Sequence, residues 1–265
     1  MTSRVSAALP AARHAAGFRL PDDTWALSSP PGATIIKDED RTLIWSQTLP
    51  DGDRVVAKMY RHRNLIDFSR ERLSRFRVQR EFDTLARMVR HDVPCSEPVF
   101  WTYGRSPENG RYEILVTREI ADATPVRELI LSGRDHTSDL DLRPLFRVVR
   151  RMHASGVYHG ALNTRNVLLA AGGYYIIDLP RSLLHRGSIE DQFAAWADML
   201  CLCHNLCYFS KRSPDTLPID AYGWDTQTRK EFLGALTGYS RQRIQRWRVR
   251  IRIVLSRALS RLIRG

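Results

Sequence analysis

The first half of the chain consists of short apolar runs separated by turn residues. Runs of about four to eight residues that are rich in β-branched and aromatic side chains and bounded by Gly, Pro or Asp are typical of strands. Turn residues at 49–53 and 106–110 join such runs into hairpins. The pattern predicts strands at Thr34–Lys37, Thr42–Ser46, Arg54–Tyr60, Pro98–Tyr103 and Tyr112–Thr117.

Helical spacing of apolar residues occurs between and after these strands. Residues 64–89 are highly charged, and Val78, Phe82, Leu85 and Met88 or Val89 share one face of the helix that this segment predicts. A second stripe within 140–153 comprises Leu142, Leu145, Phe146, Val149 and Met152. Further helices are predicted from Val126, over Gln192–Cys207 and over Thr226–Leu236, and a further strand over Tyr174–Asp178.

Charge and composition narrow the class of protein. The 265 residues have a formal net charge of +12, which indicates an anionic partner such as nucleic acid, an acidic lipid surface or a phosphorylated substrate. No window approaches the roughly 18 apolar residues of a membrane span. Residues 1–20 lack the continuous apolar core of a secretory signal.

The four cysteines do not have the spacing of a disulfide framework, which favours a reducing cytosolic compartment. Three of them lie with His204 on the predicted helix over Gln192–Cys207, and these residue types can bind metal. Cys203 and Cys207 share one face, whereas Cys201 and His204 lie on another side. Four ligands do not converge, so buried core cysteines are the favoured interpretation.

The C-terminal segment, residues 240–265, has nine arginines and no acidic residue. Its apolar residues form one helical stripe: Ile244, Trp247, Ile251, Val254, Leu255, Ala258 and Leu262. Apolar residues on one face and cations around the rest are typical of a helix lying on an anionic membrane surface. Two alternatives stay open: a helix packed on the body of the protein with a solvated basic face, and a nucleic-acid-binding patch.

The most informative stretch is Tyr158–Leu169, followed by Ile176-Ile177-Asp178. It has a His, an Asn seven residues later, an apolar run and then an Asp, which is the order found in the catalytic loop and metal-binding segment of protein-kinase-like enzymes. In that pattern Asn166 and Asp178 hold magnesium, and an Asp two residues after the His accepts the proton of the attacking hydroxyl. Here that base position is Ala161, between His159 and Asn163.

Upstream residues complete the pattern. The strand Arg54–Tyr60 contains Val-Ala-Lys58, the arrangement that carries the phosphate-binding lysine of kinases. Glu81, beside the apolar stripe of the following helix, is the candidate partner that orients this lysine, although a solvated Glu81 is the alternative. Thr117 to Ile120, including Glu119, is the predicted hinge whose backbone meets adenine. No glycine-rich loop precedes the lysine, and Asp38-Glu39-Asp40 stands there instead.

Together these residues resemble the bacterial lipopolysaccharide core kinases, the Kdo/heptose (WaaP-type) family. Tyr-His-x-x-Leu-Asn-x-x-Asn before a short apolar strand, Arg181 three residues after Asp178, and Glu81-Phe82-x-x-Leu85 before Val93-Pro94 carry the likeness, over residues 34–207. The resemblance implies an α+β, bilobal protein-kinase-like fold, with a small antiparallel sheet and one long helix in the N-lobe and a mainly helical C-lobe. With the irregular N-terminal segment and the basic C-terminal stripe, the expected domains are an irregular arm (1–33), an N-lobe (34–118), a C-lobe (119–239) and a basic amphipathic helix (240–265).

The resemblance also implies a chemistry. Members would transfer the γ-phosphoryl group of ATP, with Mg²⁺, to a Kdo or heptose hydroxyl of the lipopolysaccharide inner core. They would do so in the cytoplasm, peripherally on the inner membrane. Implied partners are the lipopolysaccharide core or its anionic glycolipid precursor, the anionic membrane surface through the C-terminal helix, and a protein of envelope biosynthesis. Nucleic acid is disfavoured, since no recognition module is present.

Two departures from the family pattern set two hypotheses against each other. Ala161 replaces the catalytic Asp, and Leu179-Pro180 follows Asp178 where a second acidic residue is usual. The first hypothesis is a pseudokinase that keeps the nucleotide and metal residues and acts by binding in envelope biosynthesis. The alternative is an active, slow ATP:sugar phosphotransferase, because much of phosphoryl-transfer catalysis is positioning and charge neutralisation. Whether the chain is an enzyme therefore depends on Ala161.

Overall fold

The strands predicted in the first half of the chain form one antiparallel sheet in the computed structural model, which describes residues 32–49, 51–62, 77–106, 110–132 and 140–241. All five exist, and each is longer than or as long as predicted. They are β1 (Thr34–Glu39), β2 (Thr42–Thr48), β3 (Arg54–His62), β4 (Pro98–Ser106) and β5 (Gly110–Arg118), in the spatial order β1-β2-β3-β5-β4.

The described residues divide between two compact units. The first takes in those within Met1–Ala86 and Ser96–Ile120, and the second those within Arg87–Cys95 and Ala121–Gly265. The first unit contains the sheet, and most of the helices belong to the second. The domain boundaries predicted at 33, 118 and 239 stay a prediction.

The two faces of the sheet differ because side chains alternate along each strand. One face is apolar and forms a single cluster, in which Leu43 of β2, Met59 of β3 and Ile114 of β5 are cross-strand neighbours. The residues between them point the other way. On that second face Lys58 lies opposite Leu115, and Tyr60 lies opposite Glu113. The second face therefore carries the polar residues.

Helix α1 (Arg77–Arg90) is the observed part of the helix predicted over 64–89; residues 64–76 lie outside the described part. Its buried residues are Val78, Glu81, Thr84, Leu85 and Met88. Phe82 is only half-buried and Val89 is exposed. The buried face is thus rotated toward Glu81 from the predicted apolar stripe.

The second unit is mainly helical, and its predicted helices are present. They are α2 (Val126–Leu131), α3 (Arg143–Ala154), α4 (Phe193–Ser210) and α5 (Thr226–Arg241), with 3₁₀ turns at Pro214–Thr216 and Ile219–Tyr222. The strands here are short: β6 (Thr124–Pro125), β7 (Val157–Tyr158), β8 (Val167–Ala170), β9 (Gly173–Ile176) and β10 (Leu183–Leu184).

One element of this unit differs from its prediction. The strand predicted over Tyr174–Asp178 ends at Ile176. Asp178 has φ +62°, in the left-handed region, and a residue in that conformation cannot continue a β-ladder. Asp178 therefore lies in the loop after β9 rather than on the strand.

Some predictions fall outside the described residues. These are the N-terminal arm up to residue 31, the middle of the turn at 106–110 and the C-terminal helix beyond residue 241. Within the described part of the chain, no helix combines the length and the apolar character needed to cross a membrane.

Candidate nucleotide and metal site

Lys58 and Glu81 form an ion pair within the first unit. Lys58 lies on the polar face of β3, since its neighbours Ala57 and Met59 are fully buried on the apolar face. Its Nζ is 3.7 Å from Oε1 of Glu81, and the two side chains are 17% and 3% exposed. Separating a pair this withdrawn from solvent would leave an uncompensated charge. The pair therefore restrains the orientation of the lysine.

Tyr60 supports this pair from the next position on the same face of β3. Its hydroxyl donates to Oε2 of Glu81 at 3.5 Å, and its ring centre is 5.0 Å from Nζ of Lys58. The Arg77 guanidinium lies 4.7 Å from the same ring. Both carboxylate oxygens of Glu81 therefore have partners, and Lys58 gains a cation–π contact.

The turn between β1 and β2 is the place where a kinase would have its glycine-rich loop, and here it is short and acidic. Asp38 accepts a 3.0 Å hydrogen bond from Nη1 of Arg61, which also donates to the Glu39 carbonyl. The Arg61 backbone N–H donates to the Arg41 carbonyl at 2.9 Å. The turn is thus tied to β3, and the Glu39 carboxylate is paired with Nζ of Lys37 at 3.0 Å.

The predicted hinge is also engaged within the sheet. Thr117 belongs to β5 and is paired with Val56 of β3. The Glu119 backbone N–H donates to the Arg54 carbonyl at 2.9 Å, and its carboxylate pairs with the Arg54 guanidinium at 2.9 Å. The N–H of Glu119 is therefore used by the sheet, and contact of this segment with adenine stays a prediction.

The loop from His159 to Asn166 lies in the second unit, between β7 and β8, and it is closed on the backbone of Ala161. The Ala161 carbonyl accepts a hydrogen bond from Nδ2 of Asn163 and another from Nδ2 of Asn166, both at 2.9 Å. Both bonds are made to a backbone group, so this closure of the loop does not involve the side chain at position 161, which is a methyl group.

His159 is fully buried and both of its ring nitrogens are engaged. Nε2 is 3.1 Å from the Ile177 carbonyl, which can only accept, so Nε2 carries the proton. Nδ1 accepts the Ala161 backbone N–H at 3.3 Å. Burial lowers the pKa of His159 below its usual value, against the opposing effect of Asp198. His159 is therefore a neutral structural residue at pH 7.

Asn163 shapes the loop with both ends of its side chain. Its Nδ2 donates to Ala161, and its Oδ1 accepts the Arg165 backbone N–H at 2.9 Å, a short-range turn that Asn favours. The prediction that Asn163 orients a substrate hydroxyl stays a prediction.

Asn166 and Asp178, the predicted metal ligands, come from adjoining ends of the β8–β9 hairpin. The register pairs Val167 with Ile176, and the Ile177 N–H donates to the Asn166 carbonyl at 3.0 Å. Asn166 is 9% exposed, and because its Nδ2 faces the Ala161 carbonyl, its Oδ1 is the end available as an oxygen ligand. Asp178 follows Ile177 directly.

Asp198 is a site residue that the sequence interpretation missed. It lies on α4, is 1% exposed, and accepts the backbone N–H groups of His159 at 2.7 Å and Gly160 at 3.0 Å. His153 Nε2 is 3.4 Å from the same carboxylate, and His153 Nδ1 is 2.7 Å from the Tyr222 hydroxyl. The sequence did contain a signal for this role: Asp198 is the one acidic residue in the apolar segment of α4, and a buried charge requires partners.

Comparison with known proteins decides the family. The model of the lipopolysaccharide kinase (Kdo/WaaP) family matches residues 26–196, more than half of the chain. This chain belongs to the lipopolysaccharide kinase (Kdo/WaaP) family. The resemblance on which the sequence interpretation rested is confirmed.

Individual relatives are distant and cover the chain in part. A 3-deoxy-D-manno-octulosonic acid kinase of Xylella fastidiosa is 25% identical over 155 residues, which are 56% of this chain and 61% of that protein. A probable bifunctional tRNA threonylcarbamoyladenosine biosynthesis protein of Methanosarcina acetivorans is 29% identical over 157 residues, or 57% of this chain. The chain spans only 25% of the length of this second relative.

The fold of this chain is similar to that of a solved structure. WaaP in complex with acyl carrier protein has a TM-score of 0.50 and 15% identity, covering 79% of this chain and 89% of that one. The likeness supports the fold alone. Both the α+β class and the protein-kinase-like fold predicted from the sequence are confirmed.

The segment after Asp178 departs from the family pattern in a physically defined way. Leu179 is fully buried, and the Ser182 N–H donates to the Leu179 carbonyl at 3.0 Å. Pro180 thus occupies the second position of a β-turn, where its fixed φ is favourable. An apolar anchor and a tight turn replace the second acidic residue that was expected here.

Three of the four cysteines lie on α4, and each is wholly or partly buried. Cys203 is fully buried, and burial raises the pKa of its thiol well above the usual value. Burial also raises the pKa of Cys207 to about 11. Among the described residues, no three His, Cys, Asp or Glu side chains converge on one point as metal ligands.

Proposed function

We propose that this member of the lipopolysaccharide kinase family is a pseudokinase: it binds nucleotide with Mg²⁺ and acts by binding in lipopolysaccharide biosynthesis. The observation that carries the proposal is Ala161. Its backbone carbonyl accepts both loop amides at 2.9 Å, yet its side chain has no group that can take a proton. General-base catalysis typically contributes about 10²–10⁴ in rate.

The neighbouring side chains do not supply a substitute base. His159 is buried, with Nε2 donating to Ile177 and Nδ1 accepting from Ala161. A ring whose two nitrogens are both occupied has no lone pair for a substrate hydroxyl. Asn163 is an amide and cannot accept a proton at neutral pH. The loss of the carboxylate at 161 is therefore not repaired within the loop.

Retained residues support nucleotide and metal binding. Lys58, held by Glu81 at 3.7 Å, would contact phosphate oxygens, and Asn166 and Asp178 would hold Mg²⁺. The donor set fits a hard cation, because Asn166 directs its nitrogen at a carbonyl and leaves its oxygen as a ligand. When bound, Mg²⁺ would neutralise phosphate charge.

The partner proposed is the lipopolysaccharide inner core or its anionic glycolipid precursor. A relative is a 3-deoxy-D-manno-octulosonic acid kinase, and a net charge of +12 suits an anionic glycolipid at the cytoplasmic side of a membrane. WaaP was solved with acyl carrier protein, so a protein of envelope biosynthesis is a second candidate partner.

A slow active kinase is the alternative function. It is favoured by the same intact Lys58–Glu81 pair, because positioning and charge neutralisation supply most of phosphoryl-transfer catalysis. It would phosphorylate a Kdo or heptose hydroxyl.

A nucleotide titration followed by a turnover assay separates the two. The pseudokinase should be stabilised against heat by ATP only when Mg²⁺ is present, and should transfer no phosphate to inner-core oligosaccharide. Asp178→Asn should abolish the Mg²⁺ dependence while keeping the left-handed backbone, which Asn tolerates. The matched control is Asp191→Asn, at an exposed carboxylate.

Two outcomes would contradict the proposal. The first is phosphate transfer by the unaltered chain that is lost in Asp178→Asn, which would establish an active kinase. Absence of any Mg²⁺-ATP stabilisation would remove the nucleotide from the function. Ala161→Asp should create turnover in a pseudokinase whose remaining site is intact, and that gain is the positive control for the assay.

A further inference from the structure

Glu113 is a fully buried carboxylate on the polar face of the sheet. Lys58, Tyr60 and His62 alternate along β3 and therefore share this face, and Glu113 is the cross-strand partner of Tyr60. Its relative exposure is 0%. A charge at such a position requires compensation, because desolvating an unpaired carboxylate is costly.

Both oxygens of Glu113 have partners. Oε1 lies 2.7 Å from Nε2 of His62, the next residue but one after Tyr60. Oε2 accepts the backbone N–H of Val78 at 3.1 Å. Val78 is the second residue of α1, and first-turn N–H groups have no acceptor within their own helix. Glu113 thus supplies a cap from the sheet to a helix that has no acidic residue in its own first turn.

This contact lies one turn away from the lysine pair. Val78 and Glu81 are three residues apart and lie on the same face of α1. Both are buried, at 0% and 2% exposure. Glu113 holds the helix at Val78, and Lys58 meets the helix at Glu81. A rotation or sliding of α1 that broke the first contact would also move the second.

We propose that Glu113 is a positioning residue: it fixes α1 on the sheet in the orientation that brings Glu81 to Lys58. His62 satisfies the other oxygen of this carboxylate through its Nε2. The orientation of α1 is a property of the nucleotide-free protein. The inference therefore rests on the proposed function only in the measurement of nucleotide binding. In this assignment Glu113 acts through α1 and not by contact with nucleotide.

The test compares three substitutions on β5. Glu113→Leu removes both acceptors at similar volume. Glu113→Gln keeps an oxygen for Val78, and the His62 ring can change tautomer to accept from the new amide. Ile114→Val, at the adjacent buried residue on the apolar face, weakens the same strand without touching the face that meets α1. It is the control for a general loss of stability.

Hydrogen exchange without nucleotide is the first readout. Glu113→Leu should speed exchange at residues 78–82 about tenfold relative to Ile114→Val, because a charge-assisted hydrogen bond is lost. Glu113→Gln should restore most of the protection. If Glu113→Leu does not fold, Glu113→Asp tests the same contact, since its shorter side chain cannot reach both partners. Equal exchange in Glu113→Leu and Ile114→Val would overturn the proposal.

Nucleotide affinity is the second readout, measured as the Kd of Mg²⁺-ATP. Glu113→Leu should weaken binding about tenfold in the unaltered background but less than about twofold on a Glu81→Gln background, because residues acting through one contact are not additive. An equal loss in both backgrounds would overturn the proposal. If the unaltered chain binds no nucleotide, the proposed function fails while the exchange comparison still decides the role of Glu113.

Discussion

Gly160, in the loop between β7 and β8, has a backbone conformation and surroundings that do not accommodate a side chain. Its φ is +79°, and a Cβ added there would lie 2.6 Å from the Arg181 carbonyl oxygen, a backbone atom. Gly160→Ala should lower the free energy of unfolding by about 2 kcal/mol or more, because an L-residue in the left-handed region costs about 1–2 kcal/mol before any clash. Chemical denaturation measures the loss.

Gly187→Ala is the matched control for this substitution. A Cβ at Gly187 meets no atom within 4 Å, and its φ lies outside the left-handed region. We expect a change within about 0.5 kcal/mol, as for ordinary surface positions. Equal effects of the two substitutions would mean that the loop backbone adjusts to a side chain at 160.

His159 predicts how stability depends on pH. Burial lowers its pKa in the folded state, so between that value and about 6.5 the unfolded chain binds a proton that the folded chain does not. Its contribution to stability is fully present above pH 6.5 and is lost as pH falls below it, by up to about 1.4 kcal/mol per pH unit. Denaturation between pH 7.5 and 5 should show this slope.

His159→Gln should make that slope shallower, since glutamine does not titrate, even though the variant starts from lower stability. His91→Gln is the control, because His91 is exposed in the turn after α1. A slope that is the same in both variants would assign the pH dependence to other groups.

At the scale of elements, helix α4 holds the loop through a single carboxylate. Asp198 accepts two backbone N–H groups, from His159 and Gly160, and an amide in its place can accept only through one oxygen. Asp198→Asn would direct an NH₂ group at one of these donors. The expected loss of stability is about 1–3 kcal/mol, the usual cost of a buried unsatisfied group.

The comparison for Asp198→Asn is Asp191→Asn, just before the same helix and exposed. It should leave the denaturation midpoint nearly unchanged. Loop order can be followed in parallel through Mg²⁺-dependent nucleotide stabilisation, which Asp198→Asn should weaken. Retention of both stability and nucleotide stabilisation would show that α4 does not position the loop.

The elements also show which features a sequence can predict. The strands around Lys58 were predictable because their apolar runs are short and bounded by turns, and Glu81 was predictable because it follows that strand on a helix. The left-handed backbone conformation of Asp178 was not predictable, since its φ depends on the path of the chain after the β8–β9 hairpin. Asp198 was missed because its role depends on a contact with residues about 40 positions earlier, which local periodicity does not contain.

At the scale of the whole molecule, the two units each retain their own part of the pattern. The first has Lys58 and Glu81 in contact, and the second has the loop closed on Ala161 with Asn166 and Asp178 at the adjoining hairpin. Family membership and fold followed from these motifs. The reaction did not, because position 161 has no carboxylate and the sequence does not specify the partner.

The C-terminal segment 240–265, which the structure describes only up to residue 241, accounts for most of the net charge of the molecule. Removing residues 241–265 deletes nine arginines and no acid, which lowers the formal net charge from +12 to +3. If this segment lies on an anionic membrane, each arginine near the surface contributes about 1 kcal/mol. Truncation after Ser240 should therefore release the protein from vesicles rich in anionic lipid, measured by co-sedimentation at low and at physiological salt.

A second variant separates the three interpretations of this segment. Changing Trp247, Ile251 and Leu255 together to Gln keeps all nine arginines but removes the centre of the apolar stripe. A membrane-surface helix loses vesicle binding in both variants, because it needs apolar burial as well as charge. A nucleic-acid patch loses binding to DNA only in the truncation. A helix packed on the protein leaves vesicle binding unchanged in both variants and loses stability instead, which would refute membrane contact through this segment.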